Sequence, residues 1–274
     1  MTIKIPSIQG YWNRRQNERA AQQKRRLQQE RNPSGHSTPL FLVGCGRSGT
    51  TMLLRHLGRS WQVEAYNENQ PEAFERWRLR DLPTIAGLIS DSPAPVVAFK
   101  PILNTTQTHQ FLKEFPEARL IFIFRHFDDV INSSMKKFGA ANRLTHVREW
   151  MASDFDEFKV APPAVTKATV EAHWRPDMGN ASGAALYWLF YNRLYLDMDL
   201  QEQERVLLVC YEQMVQQPEA VFQRICAHSG ITFEPELIAG IHSSSIGRDP
   251  APDVDPALRT ACEALYEQLA GMIG

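Results

Sequence analysis

The chain has 274 residues, 43% of them hydrophobic, and a formal net charge of −1. That is length for one sizeable α/β core and too little positive charge for a general nucleic-acid binder. The four cysteines (Cys45, Cys210, Cys226 and Cys262) have neither metal-ligand spacing nor a paired framework and are expected as reduced thiols.

Residues 11–31 (YWNRRQNERAAQQKRRLQQER) favour helix, are basic and carry almost no apolar face. Asn32-Pro33-Ser34-Gly35 ends them. The expectation is a solvated helical arm over residues 1–35, laid on the surface by Tyr11, Trp12 and Leu27, or a docking arm for an acidic partner. Residues 36–274 form the expected catalytic domain. The opening MTIKIPSIQG lacks a charged head followed by an apolar run, and no stretch is long and apolar enough to span a bilayer, so a cytoplasmic location is expected.

FLVGCGRSGTTMLL (41–54) reads as an apolar strand, a glycine turn and a helix. That order aims backbone N–H groups and the helix N-terminus at a phosphate. Gly44 and Gly49 have the separation of a Walker A loop, but Thr50 and Thr51 stand where the lysine and hydroxyl belong, and the cation is Arg47. Residues 57–91 read as helical and polar, with Arg76, Arg78 and Arg80 in FERWRLRD as an exposed charged face. VVAFK (96–100) reads as a short buried strand ending at Lys100.

ARLIFIFRHFDDVINSSMKKF (118–138) places Arg125 at the carboxyl end of a second strand and Ser133 in the helix after it. No carboxylate stands there to help hold magnesium, which a nucleoside triphosphatase needs. If both strands are parallel, Arg125 and Ser133 open onto the loop's crevice and can grip a second phosphate. A nucleoside with a phosphate group at each end is the simplest occupant. Residues 139–182 read as irregular and as the segment covering the acceptor. ALYWLFYNRLYLDM (185–198) reads as a core helix, and PALRTACEALYEQLAG (256–271) as the closing one.

RSGTT after an apolar strand, followed by EFPEARLIFIFRHFDDV (114–130) and RVLLVCYEQMVQQPEAVFQRICAHSGI (205–231), resembles the PAPS-dependent sulfotransferase family, from about residue 40 to the end. PAPS is 3′-phosphoadenosine 5′-phosphosulfate. His126 and Phe127 replace the family's usual Asp-Pro. The resemblance implies an α/β, P-loop-like three-layer fold with a central, mostly parallel sheet flanked by helices. It also implies transfer of a sulfuryl group from PAPS to an acceptor hydroxyl without a metal.

By the same resemblance, Gly46, Arg47, Ser48, Gly49, Thr50 and Thr51 hold the 5′-phosphosulfate, and Arg125 and Ser133 the 3′-phosphate. Lys137, one turn past Ser133, is expected to reach that phosphate too. Tyr211 is expected at the nucleotide, and Arg248, the only cation of the Ser-rich stretch HSSSIGRDP (242–250), as a further 3′-phosphate contact. Glu68 lies at the distance from RSGTT of the catalytic glutamate in tyrosylprotein-type members. It is the expected general base, with Glu72 and His109 as rivals. Lys100, in a similar K-x-P context, is expected to assist the leaving group beside Arg47. A small-molecule kinase with a degenerate P-loop and a non-catalytic nucleotide-binding module are the alternatives. The acceptor (small molecule, sugar, lipid or carrier-bound) and the oligomeric state are not specified by the residues.

Overall fold

The computed structural model describes residues 8–273, with side chains from residue 18 onward. Tyr11 and Trp12, the expected anchors of the arm, therefore lie outside the described side chains. In chain order the elements are α1 (Ile8–Arg31), β1 (Thr38–Gly44), α2 (Thr50–Leu57), β2 (Val63–Tyr66), β3 (Phe74–Glu75), β4 (Arg78–Leu79), α3 (Leu82–Ser90), β5 (Val96–Phe99), α4 (Thr108–Glu114) and β6 (Arg119–Phe124). They continue with α5 (Phe127–Phe138), α6 (Asn142–Ser153), α7 (Ala164–His173), α8 (Asn180–Asp197), β7 (Val206–Cys210), α9 (Tyr211–Gln216), α10 (Pro218–Ser229) and α11 (Pro256–Gly271).

Five strands form one sheet in the order β2-β5-β1-β6-β7, and every pairing is parallel. From β1 the chain builds toward β2 and β5, then crosses to β6 and β7 on the other side. The crevice beyond the carboxyl end of β1 is therefore the switch point, where open α/β sheets bind ligands.

Both faces of the sheet are covered. Leu40 and Leu42 of β1 and Ile121 and Ile123 of β6 pack against Leu53, Leu57, Phe222 and Ile225 of α2 and α10. The alternate residues, Phe41, Val43, Phe122 and Phe124, face a larger core with Trp188, Phe190 and Tyr191 of α8. This alternation across a strand buried on both sides explains the unbroken apolar runs FLV and LIFIF. Burying each large side chain contributes about 1.5–3 kcal/mol. The three-layer α/β architecture is as the sequence implies.

Two sequence expectations are corrected. Residues 57–91 are not one helical stretch, because the edge strand β2 and the β3–β4 hairpin separate α2 from α3. The hairpin turn puts Arg76 (φ 49°) and Trp77 (φ 68°) in the left-handed region, with no Gly or Asn to announce it. Residues 139–182 are not irregular throughout, since α6 and α7 lie within them. Their helical pattern is broken at Asp154 and Phe155, which also have positive φ (50° and 63°).

Helix α1 lies against the domain near its end. Lys24 Nζ donates to the Gly58 carbonyl (2.6 Å) and Gln28 Nε2 to the Trp61 carbonyl (2.8 Å), and Arg31 sits over the Trp61 ring. All four cysteines are free and buried. Burial pushes the Cys45 thiol up to about 12 and Cys210 and Cys226 to about 11. Among the described residues no helix is long and apolar enough to cross a membrane.

Candidate functional site

The loop from Gly44 to Gly49 connects β1 to the N-terminus of α2. Three of its residues have positive φ: Gly44 (121°), Arg47 (75°) and Gly49 (91°). Gly49 could carry no side chain, because a Cβ there would lie 2.3 Å from the Tyr211 ring. Buried Thr105 anchors the loop's base, where its hydroxyl accepts from the Gly44 N–H (3.2 Å) and donates to the Ile102 carbonyl (2.8 Å). Ser48 is fully buried and its hydroxyl has no partner.

On one flank of the loop is a cavity of about 320 Å³, lined in part by Arg47, Thr50, Thr51, Arg125, Ser133 and Tyr211. Arg47 Nε donates to Ser133 Oγ (3.0 Å), so α5 and the loop meet there. Arg125 is buried, pairs with Asp129 (3.0 Å), donates to the Ser245 carbonyl (2.6 Å) and stacks on Tyr211 at 4.3 Å. Its Nε has no partner. The Trp188 indole donates to the Arg125 carbonyl (2.9 Å), so the central helix α8 fixes that strand end.

The Ser-rich segment lines the cavity through Ser245, Arg248 and Asp249. Tyr211 and Ser245 share a hydrogen bond (2.6 Å), and the Gly247 N–H donates to Asp129. Arg248 lines the cavity with its side chain 65% exposed. Lys137 is exposed and not among the cavity's lining residues, while its neighbour Lys136 pairs with Asp249 at 2.5 Å.

On the other flank, Glu68 follows β2 and Lys100 follows β5, and the parallel pairing of those strands brings them into an ion pair. Both are largely withdrawn from water, with side chains 16% and 6% exposed respectively. Burial lowers the Lys100 pKa; Glu68 opposes the shift, and Arg47 adds to it. The rival base His109 is exposed, and its Nε2 engages the Met198 carbonyl (2.7 Å) at the end of α8. Glu72 is exposed.

Three arginines crowd the loop. Burial first, and then the charges of Arg125 and Arg143, hold the Arg47 guanidinium below its ordinary pKa. Sequence reasoning missed Arg143, which lies in the segment read as irregular, and Asp129, whose i, i+4 spacing from Arg125 was the signal available. A cluster of cations around a glycine loop with unpartnered buried donors can bind polyanions, and the adjacent carboxylate–ammonium pair can move a proton. A separate cluster, His146, Glu149 and Glu157, has ligand atoms close enough for a cation. Glu157 is already bonded there by the Trp150 indole (2.5 Å).

No curated protein sequence matches the chain. Among solved structures, the sulfotransferase domain from the curacin biosynthetic pathway superposes with a TM-score of 0.52 at 16% identity, covering 84% of this chain and 96% of its own. The sulfotransferase domain of the Synechococcus PCC 7002 olefin synthase gives 0.47 at 19% identity, covering 85% and 94%. Mouse sulfotransferase SULT7A1, complexed with PAP, gives 0.45 at 16% identity, covering 85% of each chain. The first of these is a likeness of fold. The sequence profile of the sulfotransferase family matches residues 72–235, starting after the glycine loop and Glu68 and spanning more than half of the chain. The chain belongs to the sulfotransferase family.

Proposed function

We propose that this sulfotransferase takes its sulfuryl group from PAPS and transfers it to an acceptor hydroxyl, with residues 36–274 as the catalytic domain and residues 1–35 as a basic helical arm. The observation that carries the reading is the division of cations about one loop. Arg125 and Ser133 lie on the cavity side and the Glu68–Lys100 pair on the other, with Arg47 between them. The buried Ser48 hydroxyl and Arg125 Nε, both without partners, are donors that suit a phosphate at each end of a nucleoside.

In this reading Gly46, Ser48, Gly49, Thr50 and Thr51 hold the 5′-phosphosulfate by N–H and hydroxyl donors at the start of α2. Arg47 supplies a planar fork to the same group. Arg125 and Ser133 take the 3′-phosphate, Tyr211 walls the nucleotide, and Arg248 and Lys137 approach by side-chain rotation. PAPS supplies an activated sulfur whose leaving group is a phosphate.

The acceptor hydroxyl passes its proton to Glu68 as its oxygen bonds to sulfur. The bond from sulfur to the bridging oxygen breaks, and the electron pair stays on the phosphate. Lys100 and Arg47 neutralise that developing charge, a role cationic side chains fill without a metal. Lys100 also holds the Glu68 carboxylate in place before the acceptor arrives.

Thermal unfolding with PAP, ATP and ADP, each with and without magnesium, tests the reading. PAP at a hundred times its dissociation constant is expected to stabilise the fold by about 2.7 kcal/mol without metal. Stabilisation by Mg-ATP alone would favour the kinase alternative and sink this one.

A further inference from the structure

Arg143, near the start of α6, is 9% exposed, and among the described residues no hydrogen bond or ion pair reaches it. Its guanidinium lies over two aromatic rings. The carbon lies 4.1 Å from the Tyr187 ring centre and 4.8 Å from that of Phe138. A cation–π contact of this kind spends none of the guanidinium's N–H donors on a hydrogen-bond acceptor. A buried lysine or histidine relieves an unpaired charge by losing its proton, whereas arginine keeps its charge throughout. Such a group is retained against a cost in stability that an anion would remove.

The free edge has a direction. A methyl group on Gly46 would come within 3.1 Å of Arg143 Nη2 and 3.9 Å of Ile102, two residues beyond Lys100. Arg143 therefore touches the loop at Gly46, next to Ile102 and close to Arg47, and is not among the residues lining the 320 Å³ cavity. Phe138 also lies under Arg47 at 5.9 Å, so one ring supports both guanidiniums. The close approach of α6 depends on Gly183 of α8, where a Cβ would lie 2.8 Å from the Leu144 backbone.

We propose that Arg143 donates its free edge to the non-bridging oxygens of the transferring sulfuryl group. The inference rests on the PAPS reading above and assigns α6 a direct contact with the donor. The forked donor pattern suits oxygens that flatten into a plane as sulfur passes between two oxygens in line.

Calorimetric titration of PAP and PAPS into the wild type, Arg143→Met and Arg143→Lys tests it, with the ligand-free Tm as a second readout. PAP lacks the sulfuryl group, so its affinity is expected to stay within about twofold in both variants. PAPS is expected to weaken about tenfold or more with Met and to recover in part with Lys. The ligand-free Tm of Arg143→Met is expected to stay level or rise, because an unpaired buried charge has been removed. A purely structural arginine would instead lower it. Equal losses for PAP and PAPS, a lowered Tm with the PAP-to-PAPS ratio unchanged, or an effect confined to the acceptor KM would each overturn the proposal. Should Met fail to fold, the Lys variant's PAP-to-PAPS ratio decides it alone. Failure of the underlying reading is distinguishable, because the wild type would then bind neither nucleotide without metal.

Discussion

Replacing Glu68 by Gln removes one charge from a buried pair and keeps nearly the same shape. Loss of one partner from such a pair costs about 3–5 kcal/mol when nothing replaces it. The Gln carbonyl still accepts from Lys100, so a stability loss of about 1–3 kcal/mol is expected, the worth of a charged hydrogen bond. Lys100 also loses the contribution that opposes its burial, so its pKa falls further below its ordinary 10.5. Between that lowered value and 10.5 the unfolded chain binds more protons than the folded one, so the variant's stability rises with pH through this window, more steeply than the wild type's. On activity, loss of a positioned base slows transfer about 10²–10⁴-fold, or about 2.7–5.5 kcal/mol in the barrier. Urea unfolding at several pH values, PAP titration, and turnover with an alkyl alcohol and with a phenol together check this. PAP affinity should be preserved, and the alkyl alcohol should lose more than the phenol, which is already acidic. Full turnover of the alkyl alcohol by Glu68→Gln, or a fall in PAP affinity as large as the fall in rate, would refute Glu68 as the base.

Arg125→Ala is expected to weaken PAP about tenfold or more, the worth of a charge-assisted contact, and adenosine 5′-phosphosulfate, which has no 3′-phosphate, much less. Equal losses for the two ligands would make Arg125 a support of the fold through Asp129 and Ser245. Lys24, on the arm, has its pKa lowered to about 8 by burial, against the pull of Glu64. The unfolded chain binds the extra proton between about 8 and 10.5, so stability gains with rising pH across that window. Tm profiles of the wild type and Lys24→Gln should differ there, and identical profiles would place Lys24 in water.

The local order of the chain determined the parts that depend on neighbours in sequence. An apolar strand, a turn of glycines and a helix start are legible in FLVGCGRSGTT because each needs its residue types within one or two turns. LIFIF followed by Arg125 is legible for the same reason, and the unbroken apolar runs announce strands covered on both faces. The β3–β4 hairpin was hidden, since Arg76 and Trp77 adopt a turn that sequence signals assign to Gly or Asn. Helices α6 and α7 were hidden by the break at Asp154 and Phe155.

Tertiary structure alone decided what meets across the loop. Glu68 and Lys100 are 32 positions apart and become an ion pair because β2 and β5 lie side by side. The ring of His109 is bonded to the end of α8, through the Met198 carbonyl. Lys136 and Lys137 are interchangeable in the sequence and both exposed, yet the helix phase gives Asp249 to Lys136. Arg143 became a candidate only because Gly183 lets α6 approach α8, leaving a permanent charge buried against the loop with its donors unspent. Spacing along a chain records neither burial nor the absence of a partner, and those two facts set the energy of a charge.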